Sequence, residues 1–66
     1  MKTTTLYTVF ATLTDGSKTS RSFSYLSEAS NKFDEFKGKG YTDIKLVREV
    51  FNFVTDELID ERVMKF

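Results

Sequence analysis

The stretch "LYTVFATLTDGSKTSRSFSY", Leu6 to Tyr25, decides the fold. Its first half alternates. Tyr7, Val9, Ala11 and Leu13 point one way, and Leu6, Thr8, Phe10 and Thr12 the other. Period two is the mark of a half-buried strand. Thr14-Asp15-Gly16 follows, and Asp-Gly is a strong hairpin signal. A three-residue loop with Gly16 left-handed in a bulge sets Leu13 opposite Ser17, Ala11 opposite Thr19, Val9 opposite Arg21 and Tyr7 opposite Phe23. The apolar sets of both strands then share one face. Thr8, Phe10 and Thr12 stand against Ser22, Ser20 and Lys18 on the other. A two-residue loop would shift the register by one and mix apolar with hydroxyl residues, so the longer loop is expected. Ser20, Ser22 and Ser24 are then the wet face of a second strand whose inner face carries Phe23 and Tyr25. A serine-rich linker would not place aromatics in that rhythm.

Ser27 precedes a helical pattern and reads as its N-cap, with Glu28 in the first turn. Ala29, Phe33 and Phe36 follow at helical spacing, and Leu26 extends the stripe backwards. Glu28 and Lys32 form a favourable i,i+4 pair. Lys37 and Lys39 suit the negative helix end, and Gly38 or Gly40 supplies the left-handed stop. The spacing predicts a helix near residues 27–38, about three turns long and unable to stand without a sheet beneath it.

From Tyr41 the pattern returns to β. Ile44, Leu46 and Val50 lie on one face, and Val47, Phe51 and Phe53 on the other. The β-branched and aromatic run "KLVREVFNFV" demands a partner strand. Leu58, Ile59, Val63 and Phe66 also fit a helical stripe capped by Thr55. A hairpin through Thr55-Asp56 instead places Glu49 beside Arg62, Val47 beside Met64 and Phe53 beside Leu58, and is the preferred reading. The expectation is a single α+β domain over residues 1–66: ββαββ, with one helix packed on one face of a four-stranded sheet. This order resembles that of the small β-grasp domains. The likeness is one of element order and implies no function.

A chain of 66 residues buries only about 60% of the surface its unfolded form exposes. The sequence has no Cys and no His, so disulfides and a typical zinc site are excluded. Support must come from its seven Phe and three Tyr, or from self-association. Ten basic residues balance ten acidic ones. That balance disfavours nucleic acid as a partner. No run approaches the roughly 20 apolar residues of a membrane span. "MKTTTLYTVFATL" has a lysine and a partly apolar run, but threonines dilute it and no small-residue cleavage site follows. It reads as a strand rather than a signal peptide, and the protein as cytoplasmic.

Without His or Cys the usual base and nucleophile at neutral pH are missing. The glycines at 16, 38 and 40 make no phosphate loop. Asp56, Glu57, Asp60 and Glu61 form the one carboxylate cluster. On a strand it is a turn plus a solvated face, the preferred reading over a cation or acid–base pair. No catalysis, cofactor or metal is expected. Residues 1–48 carry eight basic and five acidic groups, and residues 49–66 carry two and five, a mild dipole able to orient a protein partner.

Tyr7, Phe23, Tyr25, Phe33 and Phe36 are the expected core. Phe10, Phe51 and Phe53 are left on the outer sheet face, and with Lys18 and Arg21 as a charged rim they form the candidate partner-binding surface. The function these observations favour is a small non-catalytic protein-binding module. It would be an inhibitor or adaptor of the kind phages and mobile elements encode, or a homodimer formed through the same face. The alternative is a single-stranded nucleic-acid binder, with Phe10 stacking on bases and Lys18, Arg21 and Lys45 touching phosphates.

Overall fold

The structure, a computed structural model, describes residues 2–66. Five elements follow in order: β1 (Thr3–Thr12), β2 (Lys18–Phe23), α1 (Leu26–Gly38), β3 (Thr42–Asn52) and β4 (Leu58–Lys65). The strands make one sheet of order β2-β1-β3-β4, with every neighbouring pair antiparallel. The α+β ββαββ architecture expected from the sequence is the one the chain adopts.

The first hairpin has the expected register throughout, from Tyr7 opposite Phe23 to Thr12 opposite Lys18. Gly16 is left-handed, with φ +91°. The Leu13 N–H donates to the Ser17 carbonyl at 2.7 Å and the Gly16 N–H to the Leu13 carbonyl at 3.0 Å. Asp15 locks the loop from its own side chain: Oδ1 accepts the Ser17 N–H at 2.9 Å and the Ser17 hydroxyl at 2.6 Å.

On its other side β1 pairs with β3, Val9 opposite Leu46 and Tyr7 opposite Arg48. Strands β2 and β3 therefore run parallel on either side of β1, and α1 is the crossover between them. The helix packs against β1, β2 and β3. Ala29, Phe33 and Phe36 meet Val9, Ala11 and Leu46 there, with Tyr7, Phe23, Tyr41 and Ile44 packed around the margin. Burying each such large side chain stabilises the fold by roughly 1.5–3 kcal/mol. Lysine ammonium groups close the rim. Lys37 and Lys65 lie 5.4 and 5.6 Å from the Phe33 ring centre, and Lys32 lies 5.8 Å from that of Phe36.

The helix begins one residue earlier than expected. Only Ser24 and Tyr25 connect it to β2, so Tyr25 takes the extended cap position, with φ −120° and ψ 136°, and no side chain caps the helix. Ser27 falls inside the first turn and is not the N-cap. Tyr25 is 67% exposed, and so it is not a core residue. At the other end Gly40, φ +78°, takes the left-handed position. The Tyr41 N–H reaches back to the Phe36 carbonyl at 3.2 Å and the Gly40 N–H to that of Lys37 at 3.1 Å. That pair of bonds is a Schellman stop, and its usual apolar contact is present as the Phe36 and Tyr41 rings, 5.3 Å apart.

Residues 58–65 form a strand, as expected, but in a different register. The Asn52 side chain accepts the N–H groups of Val54 and Thr55 at 2.8 and 3.1 Å, and the Asn52 N–H donates to the Glu57 carbonyl at 2.8 Å. These bonds end β3 at Asn52 and leave Phe53 in the turn. Leu58 then pairs with Phe51, Glu61 with Glu49, Arg62 with Arg48 and Val63 with Val47, with a register shift at each end of the ladder. The expected pairings of Glu49 with Arg62, Val47 with Met64 and Phe53 with Leu58 are not formed. The likeness to β-grasp domains also stops at element order. Here β1 pairs with β2 and β3, and the sheet is wholly antiparallel.

Candidate interaction surface

The register assigns a face to every strand residue. With Val9, Ala11 and Leu46 turned to the helix, the opposite side of β1 carries Thr4, Leu6, Thr8, Phe10 and Thr12. The matching residues of β3 are Lys45, Val47, Glu49 and Phe51, and those of β4 are Leu58, Glu61 and Val63. Among the described residues no helix or second sheet covers this outer face.

Its centre is nonetheless dry. Val47 is fully buried and Thr8 nearly so. Thr8 Oγ1 donates to Glu49 Oε1 and lies 2.9 Å from Ser22 Oγ. A hydroxyl has one proton and a carboxylate only accepts, so Ser22 is the donor to Thr8. The resulting chain, Ser22 to Thr8 to Glu49, ties β2, β1 and β3 together across the face. Two concave regions flank it.

At one end Phe10, Lys18, Asp43 and Lys45 line a concavity of about 340 Å³. Asp43 is left-handed, φ +52°, where β3 inserts an extra residue between the Phe10–Lys45 and Thr12–Thr42 pairs. The Lys45 ammonium lies 5.2 Å from the Phe10 ring centre, and Phe10 is half-buried. At the other end Thr4, Leu6, Phe51, Phe53 and Asp56 line a concavity of about 300 Å³. Phe53 is 62% exposed, and Leu58, directly across from Phe51, is 48% exposed.

The five residues expected to make one surface are thus divided. Lys18 stands beside Phe10, as expected. Phe51 shares the outer face with Phe10, but Phe51 pairs with Thr4, six residues along β1 from Phe10. At a strand rise of about 3.3 Å per residue they are roughly 20 Å apart. Phe53 joins Phe51 from the turn. Arg21 pairs with Val9, which puts it on the helix side of the edge strand β2, so it rims neither concavity. Leu6 and Leu58 were not singled out from the sequence. Leu6 was legible through its alternation with Phe10. Leu58 depended on the β4 register, which the Asn52 turn decides.

Asp15 and Glu35 are exposed and both are held below their ordinary carboxylate range, Asp15 by the Ser17 hydroxyl and N–H, Glu35 by the Lys32 ammonium at 2.8 Å. Among the described residues no group of three or more acidic side chains is placed to hold a metal ion, and no helix is long and apolar enough to cross a membrane. No protein-family model, no curated protein and no solved structure matches this chain, so the reading of the surface rests on its own geometry.

Proposed function

We propose that the protein is a non-catalytic protein-binding module, of the inhibitor or adaptor type, that receives apolar side chains of a cytoplasmic partner at the Phe51 end of its outer sheet face. The supporting observation is the concavity of about 300 Å³ lined by Leu6, Phe51 and Phe53 on a sheet side that no other element covers among the described residues. Phe51 is held on β3 and so loses little freedom on binding, and aromatic anchors such as Phe51 and Phe53 dominate interface energetics. The absence of His and Cys from the sequence supports the non-catalytic part. Balanced charge supports a protein rather than a nucleic-acid partner. So does the Lys45 ammonium over Phe10, which occupies a ring face that a base would stack on.

The test is affinity capture from source cells with the wild type, Phe53→Ser and Arg21→Ala, followed by titration of the purified partner. Phe53→Ser is expected to weaken binding by at least about tenfold, as loss of an anchor does. Its melting temperature stays near wild type, because Phe53 sits in the turn and is mostly exposed. Arg21→Ala is expected to bind like the wild type. Equal loss in both variants sinks the assignment of the surface. Salt-sensitive retention on single-stranded oligonucleotide that Lys45→Ala abolishes sinks the protein-binding reading altogether.

A further inference from the structure

We propose that β4 is a self-complementary edge, and that two copies of the chain pair through it, antiparallel, into one continuous eight-stranded sheet. The pairing is independent of what docks on the outer face.

Among the described residues strand β4 ends the sheet, so its outer edge has no partner strand, and all its residues are exposed. Leu58, Ile59, Val63 and Met64 are between 43% and 48% exposed. Edge strands are commonly blunted by bulges and charges. Here the register shifts fall between the Phe51–Leu58 and Val50–Asp60 pairs and between the Val47–Val63 and Leu46–Lys65 pairs. The regular segment between them carries Asp60, Glu61 and Arg62 in succession. Such a segment resists a neutral or uniformly charged strand. It fits a second copy of itself.

The fit follows from symmetry. Two identical antiparallel strands are related by a two-fold axis perpendicular to the sheet, and the axis passes through a residue that faces itself. Any other register would turn the two inner faces to opposite sides. Centred on Glu61, Asp60 of each copy faces Arg62 of the other within the regular segment, and the apolar flanks Leu58–Ile59 and Val63–Met64 of the two copies lie against each other beyond the register shifts. Centred on Asp60, Arg62 faces Leu58 and Glu61 faces Ile59. Centred on Arg62, Asp60 faces Met64 and Glu61 faces Val63. Only the Glu61 register matches charge to opposite charge and apolar to apolar.

The chain's own ladder supplies a second reason. Arg62 stands directly opposite Arg48, and the one ion pair there joins Arg48 to Asp60 at 3.9 Å. Among the described residues no carboxylate forms an ion pair with Arg62, and Asp60 of a second copy provides one. The self-facing Glu61 opposes the pairing, so the dimer is reversible and concentration-dependent. Both helices lie on one side of the joined sheet, and the two outer faces run together on the other.

The test is sedimentation equilibrium of the full chain with two charge reversals. In Arg62→Glu the new carboxylate faces Arg48 within the chain, so the monomer remains folded, but across the axis it meets Asp60 of the second copy twice. Self-association is expected to weaken at least about tenfold, as like-charge juxtaposition does. Asp60→Arg is expected to weaken it similarly. Mixed in equal amounts, the two variants present opposite charges in both central pairs, and a heterodimer as tight as the wild-type dimer is expected. A wild type monomeric at all accessible concentrations overturns the proposal. So does a dimer that survives Arg62→Glu but is lost in Phe53→Ser, which would move self-association to the outer face. Failure of the mixture to restore the dimer overturns the Glu61 register.

Discussion

Glu49 stands directly across the β3–β4 ladder from Glu61, and turns the other way to accept a hydrogen bond from Thr8. Like charges opposed in a ladder are destabilising, by a few tenths of a kcal/mol up to about 1. Glu61→Lys replaces that repulsion with an attractive cross-strand pair. Its unfolding free energy in urea is expected to rise by about 0.5 kcal/mol. A fall of that size would show that Glu61 serves a contact within the chain instead.

Two glycines two residues apart are expected to respond in opposite directions. Gly40 has φ +78°, and a Cβ there meets nothing within 4 Å, so Gly40→Ala carries strain alone. A destabilisation of about 1–2 kcal/mol follows from the left-handed backbone. Gly38 closes α1 with equally open space around it. Gly38→Ala is expected to stabilise by about 0.4–1 kcal/mol. Thermal melts of both variants check the signs.

Phe33 is buried to 4% exposure at the centre of the helix–sheet contact. Phe33→Ala is expected to lose about 3–5 kcal/mol, enough to leave most of so small a domain unfolded. Ser27→Ala, inside the first turn and making no capping bond, is expected to stay within about 0.5 kcal/mol of wild type. A Ser27→Ala loss above 1 kcal/mol would restore Ser27 as a cap.

Asp15 titrates below the ordinary Asp value because the Ser17 hydroxyl and N–H hold its carboxylate. A lowered folded pKa means the unfolded chain takes up the proton first as the pH falls. The contribution to hairpin stability is therefore present at neutral pH and is lost as the pH drops through the folded midpoint. Ser17→Ala removes the hydroxyl donor and keeps the N–H. In an NMR titration its Asp15 midpoint is expected to move up, part of the way back to the ordinary value. An unchanged midpoint would assign the effect to the backbone alone.

The first hairpin was legible in the sequence because two signals agree there: the period-two pattern from Tyr7 to Leu13 and the turn chemistry of Asp15-Gly16. Only one register satisfies both. In the second hairpin they conflict. Phe51 and Phe53 share a parity, so pattern alone extends the strand through Phe53. The Asn52 side chain binds the next two N–H groups and ends the strand first. The register slip that follows brings Leu58 to Phe51, while the β1–β3 pairing, which sets Phe51 against Thr4, separates both from Phe10. Arg21 shows a different limit. Its pairing with Val9 was readable, and that pairing already placed it on the helix side; a charged rim on the outer face required it to be in two places. The Thr8–Glu49 bond was out of reach because it depends on β1 lying beside β3, a matter of strand order that alternation does not report.

The sheet's middle pair, β1 and β3, is also its most distant in sequence. Val9 and Leu46 are joined only after the first hairpin and the helix have been laid down between them. Closing that span costs chain entropy before it returns any packing, so this step governs the folding rate. β4 adds to β3 through a short local turn but buries little, since all its residues are exposed, and it is expected to consolidate after that step. In stopped-flow chevrons, truncating Val9 or Leu46 is expected to slow refolding, while truncating Leu58 or Val63 leaves refolding nearly unchanged and speeds unfolding.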